Sequence, residues 1–237
     1  MSKNKQNLYQ ILLKNKLILD YKIFSKLISE EHKNYSKDIY LKLKNSNVDF
    51  ISINSINYPK EMLNLKYPPY IIFIKGNLKL LSKKKVYIYA REYFNIYGKK
   101  IYIDFNKYFN EKKASKIYLL KNKENVLKHS NSILILKENS IDIMINLITL
   151  NNLVIFTNID YEFDYYNVMP AICDIFYIPQ ACHEKQILTL CNVFLEYGKN
   201  IYVTPGNIFD KFSHFSNILI SEGAYVILDK KDFNDIL

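Results

Sequence analysis

Residues 90–100 read AREYFNIYGKK and set Arg91, Lys99 and Lys100 among the rings of Tyr93, Phe94 and Tyr97. A second group, His183 and Lys185, lies in CHEK at 182–185. Cations interleaved with aromatic faces are what a groove for single-stranded nucleic acid needs, the cations following phosphates and the rings stacking on bases. Arg91 is the sole arginine among 33 basic residues, so a forked, bidentate hold on phosphate is open to that position alone. Aromatic residues are 15% of the chain, so a ring beside a lysine also arises by chance. Each position therefore has a plain alternative as core or solvated face.

Other chemistries find less support. Cys173, Cys182 and Cys191 are odd in number and show no C-x-x-C spacing, and only His183 could complete a metal set. They are expected to be buried or free thiols. Asp160, Glu162 and Asp164 could bind Mg²⁺ or simply form a solvated loop. No P-loop, G-x-G-x-x-G or nucleophile-elbow pattern occurs, and no acid/base pair stands over a phosphate loop. Pro205-Gly206 begins like the P-G-G-x-G-T motif of lysine-decarboxylase-like nucleotide hydrolases, but Asn207-Ile208-Phe209 follows. The expectation is a protein that is not an enzyme and takes no cofactor or metal.

The elements that must position these residues show in the apolar pattern. Residues 7–46 have helical spacing, with Leu8, Ile11 and Leu12, then Phe24, Leu27 and Ile28. They define a small N-terminal helical module over 1–47, ahead of a main domain over 48–237. FISI (50–53) and YIIFIKGN (70–77) are short strands in a proline-broken linker. From 86 onward strand-like runs alternate with helix-like stretches: VYIYA (86–90), KIYLL (116–120), SILIL (132–136), LVIFT (153–157), IFYI (175–178), NIYVT (200–204) and AYVIL (224–228). Runs apolar at nearly every position suit strands covered on both faces. The fold class is α/β, an extended Rossmann-like, doubly wound, mostly parallel sheet. Ligands in such folds sit at the carboxyl ends of the strands, which nominates loops 90–97, 120–124, 136–141, 157–165, 178–186 and 204–215.

The 237 residues carry a net charge of +10 and 49% hydrophobic residues. Abundant Lys, Asn, Ile and Tyr suit an AT-rich coding sequence, so codon bias alone is one account of the charge and selection for a polyanionic partner the other. The first residues lack the apolar core of a signal peptide, and no segment has the roughly 18 uninterrupted apolar residues of a membrane span. A cytoplasmic protein without membrane contact is expected.

Three stretches, in order, resemble the DprA/Smf family of DNA-processing proteins. The first contains Tyr58-Pro59, Pro68-Pro69, Phe73 and Lys75-Gly76, and leads into Tyr97-Gly98. The second, FLEYGKNIYVTPG, supplies Leu195-Glu196, Gly198 and Pro205-Gly206. The third supplies Asn217, Leu219-Ile220 and Glu222-Gly223-Ala224, after which the family pattern closes on a helix. The resemblance covers roughly 48–98 and 163–237, and order and spacing carry it rather than any single motif. It implies binding of single-stranded DNA, homodimers, and help in loading a RecA-type recombinase during natural transformation.

Departures from the pattern cluster. The five glycines, at 76, 98, 198, 206 and 223, all fall on family glycines at turns or helix ends. The family's Gly-Ser-Arg turn reads Ala90-Arg91-Glu92, so its arginine is either replaced by Glu92 or, with a one-residue gap, present as Arg91. Its Arg-Asn-Arg motif reads Tyr166-Asn167-Val168 and keeps only Asn167. Its Ser-Gly-Ser loop falls near Cys182-His183-Glu184-Lys185. Side chains in place of glycine block close approach of backbone N–H groups to phosphate. The resemblance thus implies a kept scaffold with a weakened or rebuilt DNA pocket, its candidates being Arg91, Tyr97, Lys99, Lys100, Asn167, His183 and Lys185. The alternative is a scaffold or interaction protein that has lost DNA binding.

Overall fold

The computed structural model describes residues 44–53, 55–65, 68, 71–90, 94–120, 129–136, 151–156 and 165–237. The N-terminal helical module, Arg91, the acidic cluster at 160–164 and the lysines at 121, 123 and 137 lie outside the described residues. The chain divides into two compact units.

The first unit takes its described residues from Met1–Asn77, Leu119–Ser130 and Leu134–Phe163. Here β1 (Asp49–Ser52) pairs antiparallel with β2 (Ile71–Gly76), with Asp49 opposite Ile74 and Ser52 opposite Ile71. In turn β2 pairs antiparallel with β6 (Leu153–Phe156), Phe73 facing Phe156. The two segments expected as short linker strands are therefore full ladder partners. Between them a 3₁₀ turn, Lys60–Asn64, follows Pro59 and buries Met62 completely.

The second unit holds Leu78–Tyr118, Asn131–Ile133 and Asp164–Leu237. Its strands run in the order β4 (Ser115–Leu120), β3 (Lys85–Ile88), β7 (Ile175–Ile178), β8 (Ile201–Val203), β9 (Tyr225–Val226), and every neighbouring pair is parallel. All residues of β3, β7 and β8 are buried, as are those of β5 (Ser132–Leu136), which is divided between the two units. Successive strand residues point to opposite faces, so both faces must be covered. On one face Val86, Ile88, Ile175, Tyr177 and Tyr202 pack with Phe105 and Phe109 of helix α1 (Ile96–Glu111) and with Phe233. Opposite, Tyr87 and Phe176 stack with Phe194 of helix α3 (Lys185–Glu196), the Phe176 and Phe194 centroids 4.2 Å apart. Helices on both faces of a parallel sheet make this unit doubly wound, as the sequence pattern predicts. Two shorter helices complete it, α2 (Tyr165–Ile172) and α4 (His214–Ser221).

Several boundaries differ from the sequence expectation, two of them instructively. Strand β3 starts earlier, at Lys85, because Asp174 holds that residue twice: its carboxylate accepts from the Lys85 N–H at 2.8 Å and pairs with the ammonium at 3.0 Å. The run 224–228 keeps only Tyr225 and Val226 as strand, and both are exposed. Beyond it comes a 3₁₀ turn, Lys230–Phe233, where the family pattern closes on a helix. Asp229 and Asp232 form a reciprocal capping box on that turn, and Lys230 bridges to Asp104 of α1 at 2.6 Å.

Candidate nucleic-acid interface

Because β3, β7 and β8 are parallel, the segments that leave them emerge at one end of the sheet. Those segments are the start of α1, residues 179–184, and residues 204–213. Asn95 caps α1: its Oδ1 accepts from the Gly98 N–H at 2.9 Å, filling one of the donors that a helix N-terminus leaves open. Its Nδ2 donates to Asp210 Oδ2 at 2.6 Å. The same carboxylate oxygen accepts from Ser213 Oγ at 3.1 Å and Gln180 Nε2 at 3.3 Å, while Oδ1 accepts from the Phe212 N–H at 3.0 Å. Asp210 thus ties the three segments into one knot, its charge spread over four donors.

Two glycines permit this closeness. A Cβ on Gly98 would lie 2.0 Å from Gln180 Oε1, and one on Gly206 would lie 2.2 Å from Ser213 Oγ. Gly98 sits within α1 rather than at a turn, so Gln180 is what demands it. Gln180 is 2% exposed, and its Oε1 has no hydrogen-bond partner among the described residues. Gly206 is held again by Asn217, whose side chain accepts from its N–H and donates to its carbonyl, both at 3.1 Å. Asn217, which matches the family pattern, thus pins a loop eleven residues back.

Beside the knot lies an open cavity of about 400 Å³ lined by Tyr97, Pro205, Gly206, Asn207 and Asp210. The Tyr97 hydroxyl donates to the Pro205 carbonyl at 2.6 Å, and burial raises its pKa. The cavity wall is mostly apolar and backbone, and among the described residues no group of three His, Cys, Asp or Glu could hold a metal ion.

The candidates from the sequence fall into three places. Tyr97 lines the cavity, and Lys99 and Lys100 follow it, exposed, on α1. His183 and Lys185 are exposed where α3 begins, the His183 ring standing edge-on to Phe215 with centroids 5.3 Å apart. Asn167 lies in the first turn of α2, on a different segment, and its side chain is outside the described residues. Arg91 is outside them too. Asn95, Gln180, Asp210 and Ser213 were not singled out from the sequence. Asn95 directly ahead of Ile96, where α1 starts, is an N-cap signature that would have found one of them; Gln180 and Ser213 have no local signal.

Of the three cysteines none forms a disulfide; Cys173 and Cys191 are buried and Cys182 is partly exposed. Among the described residues no helix is long and apolar enough to cross a membrane.

A parallel, doubly wound sheet with a loop-built cavity at its carboxyl end defines a Rossmann-like fold. More narrowly, the fold is that of DNA processing protein A. The Streptococcus pneumoniae DNA processing protein A (DprA) superposes with a TM-score of 0.65 at 16% identity, over 98% of this chain and 92% of that one. The Helicobacter pylori protein, whose structure concerns its single-stranded DNA binding mode, gives a TM-score of 0.59 at 18% identity, over 79% of this chain and 95% of that one. No family model matches the sequence. No curated protein matches it. The likeness is one of fold.

Proposed function

We propose that this chain is a divergent member of the DprA/Smf family: a cytoplasmic, non-enzymatic protein that binds single-stranded DNA and serves DNA processing, natural transformation and recombination. It acts as a homodimer and helps load a RecA-type recombinase. One observation carries the reading. An open cavity stands where the segments after β3, β7 and β8 are knotted together, and exposed Lys99 and Lys100 follow its lining residue Tyr97 on α1, in a fold shared with a protein studied for single-stranded DNA binding. Where the family's glycines and arginines are missing, lysines and aromatic rings supply charge and stacking. Arg91 adds the one guanidinium.

The test is binding of a long oligo-dT by the wild type and Arg91→Ala across a salt series. Wild type should bind with an affinity that falls steeply with salt, and the variant should bind more weakly with a slope smaller by about one counterion. No mobility shift at low salt would reject DNA binding and leave the scaffold alternative. Dimers are read by sedimentation, and loading by whether the protein speeds assembly of a RecA-type recombinase on single strands.

A further inference from the structure

The loop after β8 carries an expense that its own packing does not explain. Phe209 is 91% exposed and Ile208 73% exposed, and Ile96, next to the Asn95 cap, is 90% exposed. Isolated apolar residues on a surface are ordinary, but each of these stands next in the chain to a residue that lines one cavity. Asn207 and Asp210, which line it, bracket Phe209 in the chain, and Tyr97 lines it from α1.

The backbone beneath Phe209 is fixed at several points. Its N–H donates to Asn207 Oδ1 at 2.9 Å, and the Asp210 N–H donates to the Asn207 carbonyl at 3.0 Å. Asp210 is itself tied to Asn95 and Ser213, and Gly206 to Asn217. An aromatic ring on a braced loop loses little further freedom when something lies against it. The surroundings say what that partner is. Lys211 is exposed two residues after Phe209, its ammonium 5.3 Å from the Phe212 ring centroid, and Lys99 and Lys100 are exposed two and three residues after Tyr97. The Asp210 carboxylate, the one acid lining the cavity, is covered by its donors. A flat apolar face with cations around it is complementary to a nucleobase on a phosphate chain.

We infer that Phe209 is a base-stacking residue, receiving an unpaired base at the mouth of the cavity lined by Tyr97, Pro205 and Asn207. This rests on the single-stranded DNA reading above and assigns within it a contact to a base rather than to phosphate.

The experiment compares oligo-dT with an abasic strand of equal length, for the wild type, Phe209→Ala and Phe209→Tyr. The wild type should favour the base-bearing strand, and Phe209→Ala should lose about five- to a hundred-fold on oligo-dT while hardly changing on the abasic strand. Phe209→Tyr should keep the preference. The salt slope should be equal in all three, since no phosphate contact changes. An exposed side chain can be truncated without unfolding the loop, and circular dichroism checks this. Equal oligo-dT binding by wild type and Phe209→Ala overturns the inference while the DNA-binding reading stands. Equal weakening on both strands overturns it as well. So does a change from dimer to monomer in Phe209→Ala with unchanged affinity per protomer, which would give this surface to a second copy of the chain. If the wild type binds neither strand, the inference falls with the reading it rests on.

Discussion

Asn95 and Asp210 are 115 positions apart in the chain, yet the amide of one donates to the carboxylate of the other at 2.6 Å. The pair joins the start of α1 to the loop after β8. Asp210 also collects Ser213, Gln180 and the Phe212 N–H, so its removal leaves several donors short of an acceptor at once. Replacing it with alanine should cost about 2–3 kcal/mol, the range for losing hydrogen bonds to a charged group. Asn95→Ala should cost about 1 kcal/mol or a little more, as a lost cap does. The double variant should fall short of the sum, because the two act in one network. Urea unfolding with a constant m-value measures all three; strict additivity would show that the knot is not a unit.

Gly98→Ala gives a second test, because two effects oppose. In a helix interior alanine is favoured over glycine by about 1 kcal/mol. Here the new methyl would meet Gln180 Oε1 at 2.0 Å and Gln180 Cβ at 3.0 Å, and a buried side chain has little room to retreat. The clash should win, with a net loss of about 1–3 kcal/mol, the range for overpacking. In a Gln180→Ala background the same substitution should lose most of its cost, since only the Cβ contact at 3.0 Å remains. If Gly98→Ala is as destabilising there as in the wild type, Gln180 is not what the glycine accommodates.

These contacts mark where the sequence stops being readable. Residues 86–89, 133–136 and 175–178 are apolar throughout, and burial on both faces demands that pattern, so the doubly wound sheet follows from local composition. The antiparallel pairing of β2 with β6 does not, because the direction of a neighbour leaves no trace in a strand's own residues. Asn217 and Gly98 show the same limit at single residues. Both are legible as members of a motif, but a motif names no partner. Their actual partners, Gly206 and Gln180, are fixed only by how the strand ends come together. Phe209 in turn could not be told from the many other rings of this chain until its exposure was known.

The end of the chain holds α1 in place. Phe233 is fully buried, with ring centroids 5.1 Å from Phe109, 5.3 Å from Tyr177 and 5.9 Å from Phe105. Tyr108 of α1 donates to Asn234 at 3.0 Å just beyond. Phe233→Ala empties the centre of that aromatic cluster and should cost about 3–5 kcal/mol. Lys230→Ala, which removes an exposed pair with Asp104, should cost under about 1 kcal/mol. Thermal melts of the two variants side by side measure the contrast. Similar losses in both would mean that the turn is held by its charges rather than by the ring.

The buried thiols give stability a pH dependence whose sign can be worked out. Burial raises the pKa of both Cys173 and Cys191 from 9.0 to about 12. Above pH 9 the unfolded chain releases these protons while the folded chain keeps them. The folded state then binds more protons, so stability falls as pH rises, by about 1.4 kcal/mol per pH unit for each thiol. Below pH 9 their contribution is flat. Urea unfolding in reductant at pH 8, 9 and 10 should show this alkaline decline, and Cys191→Ala should make it shallower by one thiol's share, whatever its effect on absolute stability. Alkylation at pH 8 should reach only the partly exposed Cys182 in the native protein and all three after unfolding. An alkaline slope unchanged in Cys191→Ala, or prompt native-state labelling of Cys173, would show that these thiols are not shielded as the structure has them.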